Sequence, residues 1–170
     1  LAEEDALLAI DTMNSGIFDY FINDRIKTEL KIIFLNRYRA TINIERLYLL
    51  GALRCIVPNI NYNELKEVIY NLFEYIEHYK LFEKHVEEWF LYLLLLLNEI
   101  KDEIKFNEML NKIRLTKQEK NISDSLKKIL KQTLNLEKLT NYEIYEVLKK
   151  YPDETLLIFI SIINNNLTSQ

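Results

Sequence analysis

Little in this sequence turns a chain sharply, and little in it reacts. Two glycines and two prolines occur in 170 residues. A β-sandwich or barrel needs turn residues about every 8–12 positions, so neither is expected. One cysteine is present, Cys55, in the apolar run Leu53-Arg54-Cys55-Ile56-Val57. It has no partner for an internal disulfide and reads as a buried apolar residue in a reducing compartment. The two histidines, His78 and His85, have neither an HExxH context nor a cysteine partner, so no metal site is expected. With only Gly16 and Gly51, neither GxxxxGK(S/T) nor GxGxxG can be written, and Asp-x-Asp is absent. No apolar run approaches the roughly 20 residues that span a bilayer, so a membrane partner is not expected. The chain opens Leu-Ala-Glu-Glu-Asp, without a basic n-region, so no signal peptide is expected. Opening on Leu rather than Met, it is expected to be a piece of a longer, cytoplasmic protein.

What the sequence does contain is helix-forming and apolar. Leu, Ile, Lys, Glu and Asn dominate, and 49% of the residues are hydrophobic, ample for a core. The stretch Trp89-Phe90-Leu91-Tyr92-Leu93-Leu94-Leu95-Leu96-Leu97 has no polar break. A helix there is apolar all round and must be covered on every side. The expected fold is therefore all-α: a single array of roughly eight to nine helices around this apolar central helix. Residues 1–60 form an N-terminal helical part and 61–170 a C-terminal one, packed as one unit.

Local signals place the helices. Ala2–Met13 reads as a short amphipathic helix ended by Asn14-Ser15-Gly16. A second runs from Asp24 to Leu35, with Ile26, Leu30, Ile33 and Phe34 on one face and an Arg25–Glu29 pair on another. A third covers Tyr38 to Leu50, with Gly51 as its C′ residue. Ala52–Val57 makes a short apolar turn stopped by Pro58, and Asn61 or Asn63 caps a helix over Tyr62–Phe82. That helix turns Leu65, Val68, Ile69, Leu72, Phe73 and Ile76 inward. The central helix spans Val86–Asn98. Asp102 caps the next, ending near Ile113, with Phe106, Met109, Leu110 and Ile113 inward. Capping boxes at Thr116–Glu119 and Thr140–Glu143 open helices to about Leu134 and Lys150. Pro152 starts a last helix through Ile163, and Asn164–Gln170 reads as a frayed polar tail.

Charge is segregated along the chain. The net charge is −4 and the isoelectric point about 5.4. Residues 1–24 carry six acids and no base, whereas residues 25–46 carry six bases against two acids. Residues 64–88 are acidic again, and residues 112–132 carry seven bases against two acids. At about 100° per residue, Lys117, Lys120, Lys127, Lys128 and Lys131 fall within an arc of about 100°. Ile122, Leu126, Ile129 and Leu130 fall opposite, and only Asp124 interrupts the stripe. A solvated face usually mixes signs. A lysine stripe suits phosphate contacts, which hold a nucleic acid without reading its sequence, and a simple solvated face is the other reading of the same pattern.

Several segments, in order, resemble one family. They are Arg25-Ile26-x-x-Glu29-Leu30, then Leu47-x-x-Leu50-Gly51-Ala52-Leu53-x-x-Ile56-Val57-Pro58. They continue with Trp89-Phe90-Leu91-Tyr92-Leu93-Leu94 and Leu110-x-x-Ile113-Arg114-Leu115-Thr116. The last is Asn141-Tyr142-Glu143-Ile144-Tyr145-Glu146-Val147-Leu148 with Thr155-Leu156-Leu157. From about Ser15 to Ile163 this resembles the C-terminal, tRNA-binding body and tail of bacterial tRNA nucleotidyltransferases. That group comprises the CCA-adding and A-adding enzymes and the poly(A) polymerases.

The resemblance implies an RNA-binding helical domain that positions the tRNA 3′ end for CCA or A addition. The family's catalytic head, with its Gly-Ser and Asp-x-Asp motifs, is not in this chain, so no catalytic residue, metal or cofactor is expected here. Mg and ATP or CTP belong to the head, which together with tRNA is the expected partner. Charge then assigns the phosphate contacts to Arg25, Lys27, Lys31, Arg37 and Arg39, and to Lys117, Lys120, Lys127, Lys128 and Lys131. The alternative is a helical protein-interaction scaffold, using the aromatic–acidic face around Tyr70–Tyr79 and binding no nucleic acid.

Overall fold

The structure is a computed structural model that describes residues 24–35, 40–83, 85–132 and 139–168. Its regular elements are all helical, with no strand among the described residues. The α-helices are α1 Asp24–Leu35, α2 Ala40–Leu49, α3 Tyr62–Lys80, α4 Glu88–Leu97, α5 Glu103–Lys112, α6 Lys117–Gln132, α7 Asn141–Leu148 and α8 Asp153–Thr168. A 3-10 turn, Ala52–Cys55, follows α2. The expected helix over Ala2–Met13 lies outside the described residues. The chain divides into two units. One holds the described residues up to Leu65 together with Glu88–Leu115, and the other holds Lys66–Glu87 together with the residues from Thr116 on.

In the first unit α1 lies along α4 and against α2. All nine residues from Trp89 to Leu97 are buried, as an all-apolar helix requires. Leu30 and Phe34 of α1 are buried and Ile33 is half-buried, while the Phe34 and Tyr92 rings meet tilted at 6.4 Å. The side-chain amide of Asn43 in α2 donates to the Ile33 carbonyl oxygen at 2.9 Å. That carbonyl is among the last four of α1, which have no partner inside their own helix.

Gly51 ends α2 with φ 75°, the left-handed C′ conformation a glycine adopts without a Cβ penalty. In the following turn, Leu53 and Ile56 share the inward side at a three-residue spacing, and Val57 is also buried. Cys55 is thereby left half-buried rather than buried, which corrects the sequence expectation. Asn61, not Asn63, precedes α3, and its carbonyl accepts the Leu65 N–H at 3.2 Å. The Asp102 carboxylate caps α5, accepting the N–H groups of Ile104 and Lys105 at 2.9 and 3.1 Å.

In the second unit α6 packs against α8. Ile122, Leu126 and Ile129 are buried with Ser123, and Leu130 is half-buried. The Thr155 hydroxyl of α8 donates to the Ile122 carbonyl oxygen at 3.3 Å. From α3 this unit takes Val68, Ile69, Leu72 and Ile76, all buried, and Phe73, half-buried. Both capping boxes form. Thr116 N–H donates to Glu119 at 2.6 Å, and Glu119 N–H to the Thr116 hydroxyl at 3.2 Å. Glu143 is held the same way by Thr140. The Thr140 backbone N–H and then its hydroxyl hold the Glu143 carboxyl below its ordinary range. The expected frayed tail is a difference: α8 continues through Asn164–Asn166 to Thr168. Once a helix is nucleated each further residue adds a hydrogen bond, which outweighs the poor propensity of asparagine.

Candidate nucleic-acid interface

The best-formed candidate surface is the outer side of α6. The Thr116–Glu119 box fixes where the helix begins, and the buried Ile122, Leu126 and Ile129 fix which side faces the core. The lysines follow from those two constraints. Lys117, Lys128 and Lys131 are exposed, together with Asp124. Lys120 and Lys127 are half-buried and engage neighbouring groups. They sit at the edges of the stripe, where side chains bend toward the packing interface.

The stripe runs against helix electrostatics at one end. Lys117 and Lys120 lie in the first turn, where the macrodipole is positive and favours acids by about 0.3–1 kcal/mol. Glu119, the acid in that turn, has its carboxylate taken by the Thr116 N–H. The helix dipole therefore does not favour lysine at these two positions. Lys131, in the last turn, is on the favourable end.

The basic stretch near the N-terminus is organised differently. Lys27 and Lys31 of α1 hold their ammonium groups 5.6 and 5.4 Å from the centroid of the Trp89 ring. Trp89 is only 3% exposed, so both lysines are half-buried against an indole face. They brace α1 on α4 rather than stand out as a charged patch. They belong to the first unit, and the α6 stripe belongs to the second. Of the other expected contacts, Arg37 and Arg39 lie outside the described residues, as does the side chain of Arg25.

None of the contacts expected from the sequence falls on α7. Tyr142 and Tyr145 are 71% and 62% exposed, and no residue of α7 is fully buried. Their spacing of three on a short helix was the available signal. His78 donates from Nδ1 to the Glu74 carbonyl oxygen at 2.9 Å, and among the described residues no three His, Cys, Asp or Glu side chains gather as metal ligands. No described helix is long and apolar enough to cross a membrane.

One solved structure, described as the complex structure of a CCA-adding enzyme with CTP, matches 94% of this chain with a TM-score of 0.74 at 20% sequence identity. The match takes in 38% of that protein's chain, so this chain spans well under half its length. The likeness shows the fold: this chain is similar in fold to part of a CCA-adding enzyme. No family model matches the chain, and no curated protein matches it.

Proposed function

We propose that this chain is the RNA-binding helical part of a tRNA nucleotidyltransferase, holding tRNA so that its 3′ end reaches a catalytic head outside this sequence. The observation that carries the reading is the fold likeness, which covers nearly all of this chain and a minor part of a CCA-adding enzyme. The lysine face of α6 supports it independently, because it is one-signed apart from Asp124 and two of its lysines oppose the helix dipole. In this reading Mg and the nucleotide are bound by the head, and the cellular compartment is the cytoplasm. Lys117, Lys128 and Lys131 make the principal phosphate contacts, and Lys120 and Lys127 flank them.

The test is a titration of the chain with a tRNA transcript at low and at higher salt. Saturable binding that weakens steeply with salt is expected. Replacing Lys117, Lys128 and Lys131 by Gln should flatten the salt dependence by about two to three units of slope, roughly 0.7–0.9 per lost phosphate contact. Unchanged binding by that variant defeats the assignment to α6, and no binding at low salt defeats the RNA reading.

A second reading, a protein-interaction scaffold, rests on Leu81 and Phe82, which are 78% and 75% exposed in the turn after α3. A defined oligomer or partner complex lost on Leu81→Ser/Phe82→Ser substitution, with no RNA affinity, is its signature.

A further inference from the structure

We infer that Tyr142 and Tyr145 form a stacking platform for unpaired nucleotide bases at one end of the α6 lysine track; this rests on the RNA-binding reading of α6.

The geometry of α7 singles out one face. At about 100° per residue Tyr142, Tyr145, Glu146 and Lys149 share it, and Ile144, Val147 and Leu148 lie opposite, half-buried. The packing contribution of this helix is thus made without either tyrosine. Two large rings are left in solvent on a helix of eight residues, whose start is set by the Thr140–Glu143 box. Lys149 holds its ammonium 5.6 Å from the Tyr145 ring centroid and pairs with Glu146 Oε1 at 2.5 Å. The lysine thereby restrains the Tyr145 ring. Of the two acids of α7, Glu146 is paired with Lys149, whereas Glu143, held by Thr140, keeps its negative charge and lies beside rather than on the tyrosine face.

A second observation ties the C-terminal side of α7 to the end of the track. The Tyr151 hydroxyl, just after α7, donates to Gln132 Oε1 at the end of α6 at 2.9 Å. The exposed Lys128 and Lys131 precede that bridge in the last turns of α6, and the exposed Lys149 and Lys150 precede it on the other side. Phosphate-binding charge followed by exposed aromatic rings is the arrangement that holds unpaired nucleic acid, because every base offers a π face. A protein partner would call for apolar residues around the rings, and those of α7 are on the other side.

The test compares two RNAs: a blunt duplex and the same duplex with a short single-stranded extension. The parent chain is expected to bind the extended RNA about tenfold more tightly, which corresponds to about 1.4 kcal/mol and falls inside the range of a single base stack. The Tyr142→Ala/Tyr145→Ala variant should lose this increment and keep its blunt-duplex affinity within about twofold. The Tyr142→Phe/Tyr145→Phe variant, which retains both rings, should keep the increment and controls for folding. Equal parent affinity for the two RNAs, or an increment surviving the alanines, overturns the platform and leaves the α6 reading standing. Failure to bind either RNA overturns both. Unchanged RNA affinity with a change in oligomeric mass on alanine substitution also overturns it, and identifies the pair as a protein contact.

Discussion

The Tyr79 hydroxyl donates a hydrogen bond to the carboxylate of Asp153, 74 positions further along the chain. Tyr79 lies in the last turn of α3, and Asp153 is the first residue of α8. The carboxylate sits at a helix N-terminus, where the macrodipole favours it. Burial above all, then the Asp153 hydrogen bond and the negative charges of Asp153 and Glu154, push the Tyr79 phenol well above its ordinary value of 10.

Tyr79→Phe is expected to lower stability by about 1 kcal/mol at neutral pH, toward the low end for a charged acceptor because the site is half-exposed. The sign with pH follows from the raised folded value. The contribution of Tyr79 is fully present below pH 10 and is lost as pH rises above it toward the folded-state value. Urea unfolding of both proteins at rising alkaline pH should show the gap between them closing. A gap that stays constant through that range would refute the linkage.

Arg114 has φ 53° at the end of α5, a left-handed conformation for a side chain with a Cβ. The Arg114 N–H reaches the Asn111 carbonyl at 3.1 Å and the Leu115 N–H reaches that of Leu110 at 3.3 Å, which is a Schellman ending with arginine where glycine is usual. Arg114→Gly should be more stable than Arg114→Ala by about 1 kcal/mol. Both variants delete the same side-chain contacts, so their difference isolates the backbone. Equal urea midpoints would show that the turn relaxes.

Ser123 of α6 is fully buried, and among the described residues its hydroxyl finds no hydrogen-bond partner. A buried hydroxyl without a partner is destabilising, and alanine is also the better helix former. Ser123→Ala is expected to raise stability by about 1 kcal/mol, read as a higher urea midpoint at unchanged m-value. Thr155→Ala should act in the opposite direction, because that hydroxyl bonds the Ile122 carbonyl oxygen at 3.3 Å. A loss of stability at Ser123→Ala would mean that the hydroxyl has an acceptor after all.

The sequence by itself determined where several of the described helices begin and which side of each is apolar. Asp102, the Thr116–Glu119 and Thr140–Glu143 boxes and Gly51 act within a few residues of themselves, so their roles were legible without the fold. The lysine stripe was legible too, because periodicity alone sets it opposite Ile122, Leu126 and Ile129. Which lysines stand in solvent was not. Lys27 and Lys31 look like a charged patch until α1 is laid on α4 and both meet the Trp89 ring. The left-handed Arg114, the orphaned Ser123 and the Tyr79–Asp153 bond depend equally on neighbours that only packing supplies. The exposure of Tyr142 and Tyr145 belongs with these, since a tyrosine has an apolar body and a polar tip and is stable in a core or in water. Local hydrogen bonding and periodicity are encoded over one or two turns of chain; the choice between burial and exposure for such amphipathic side chains is made by tertiary packing.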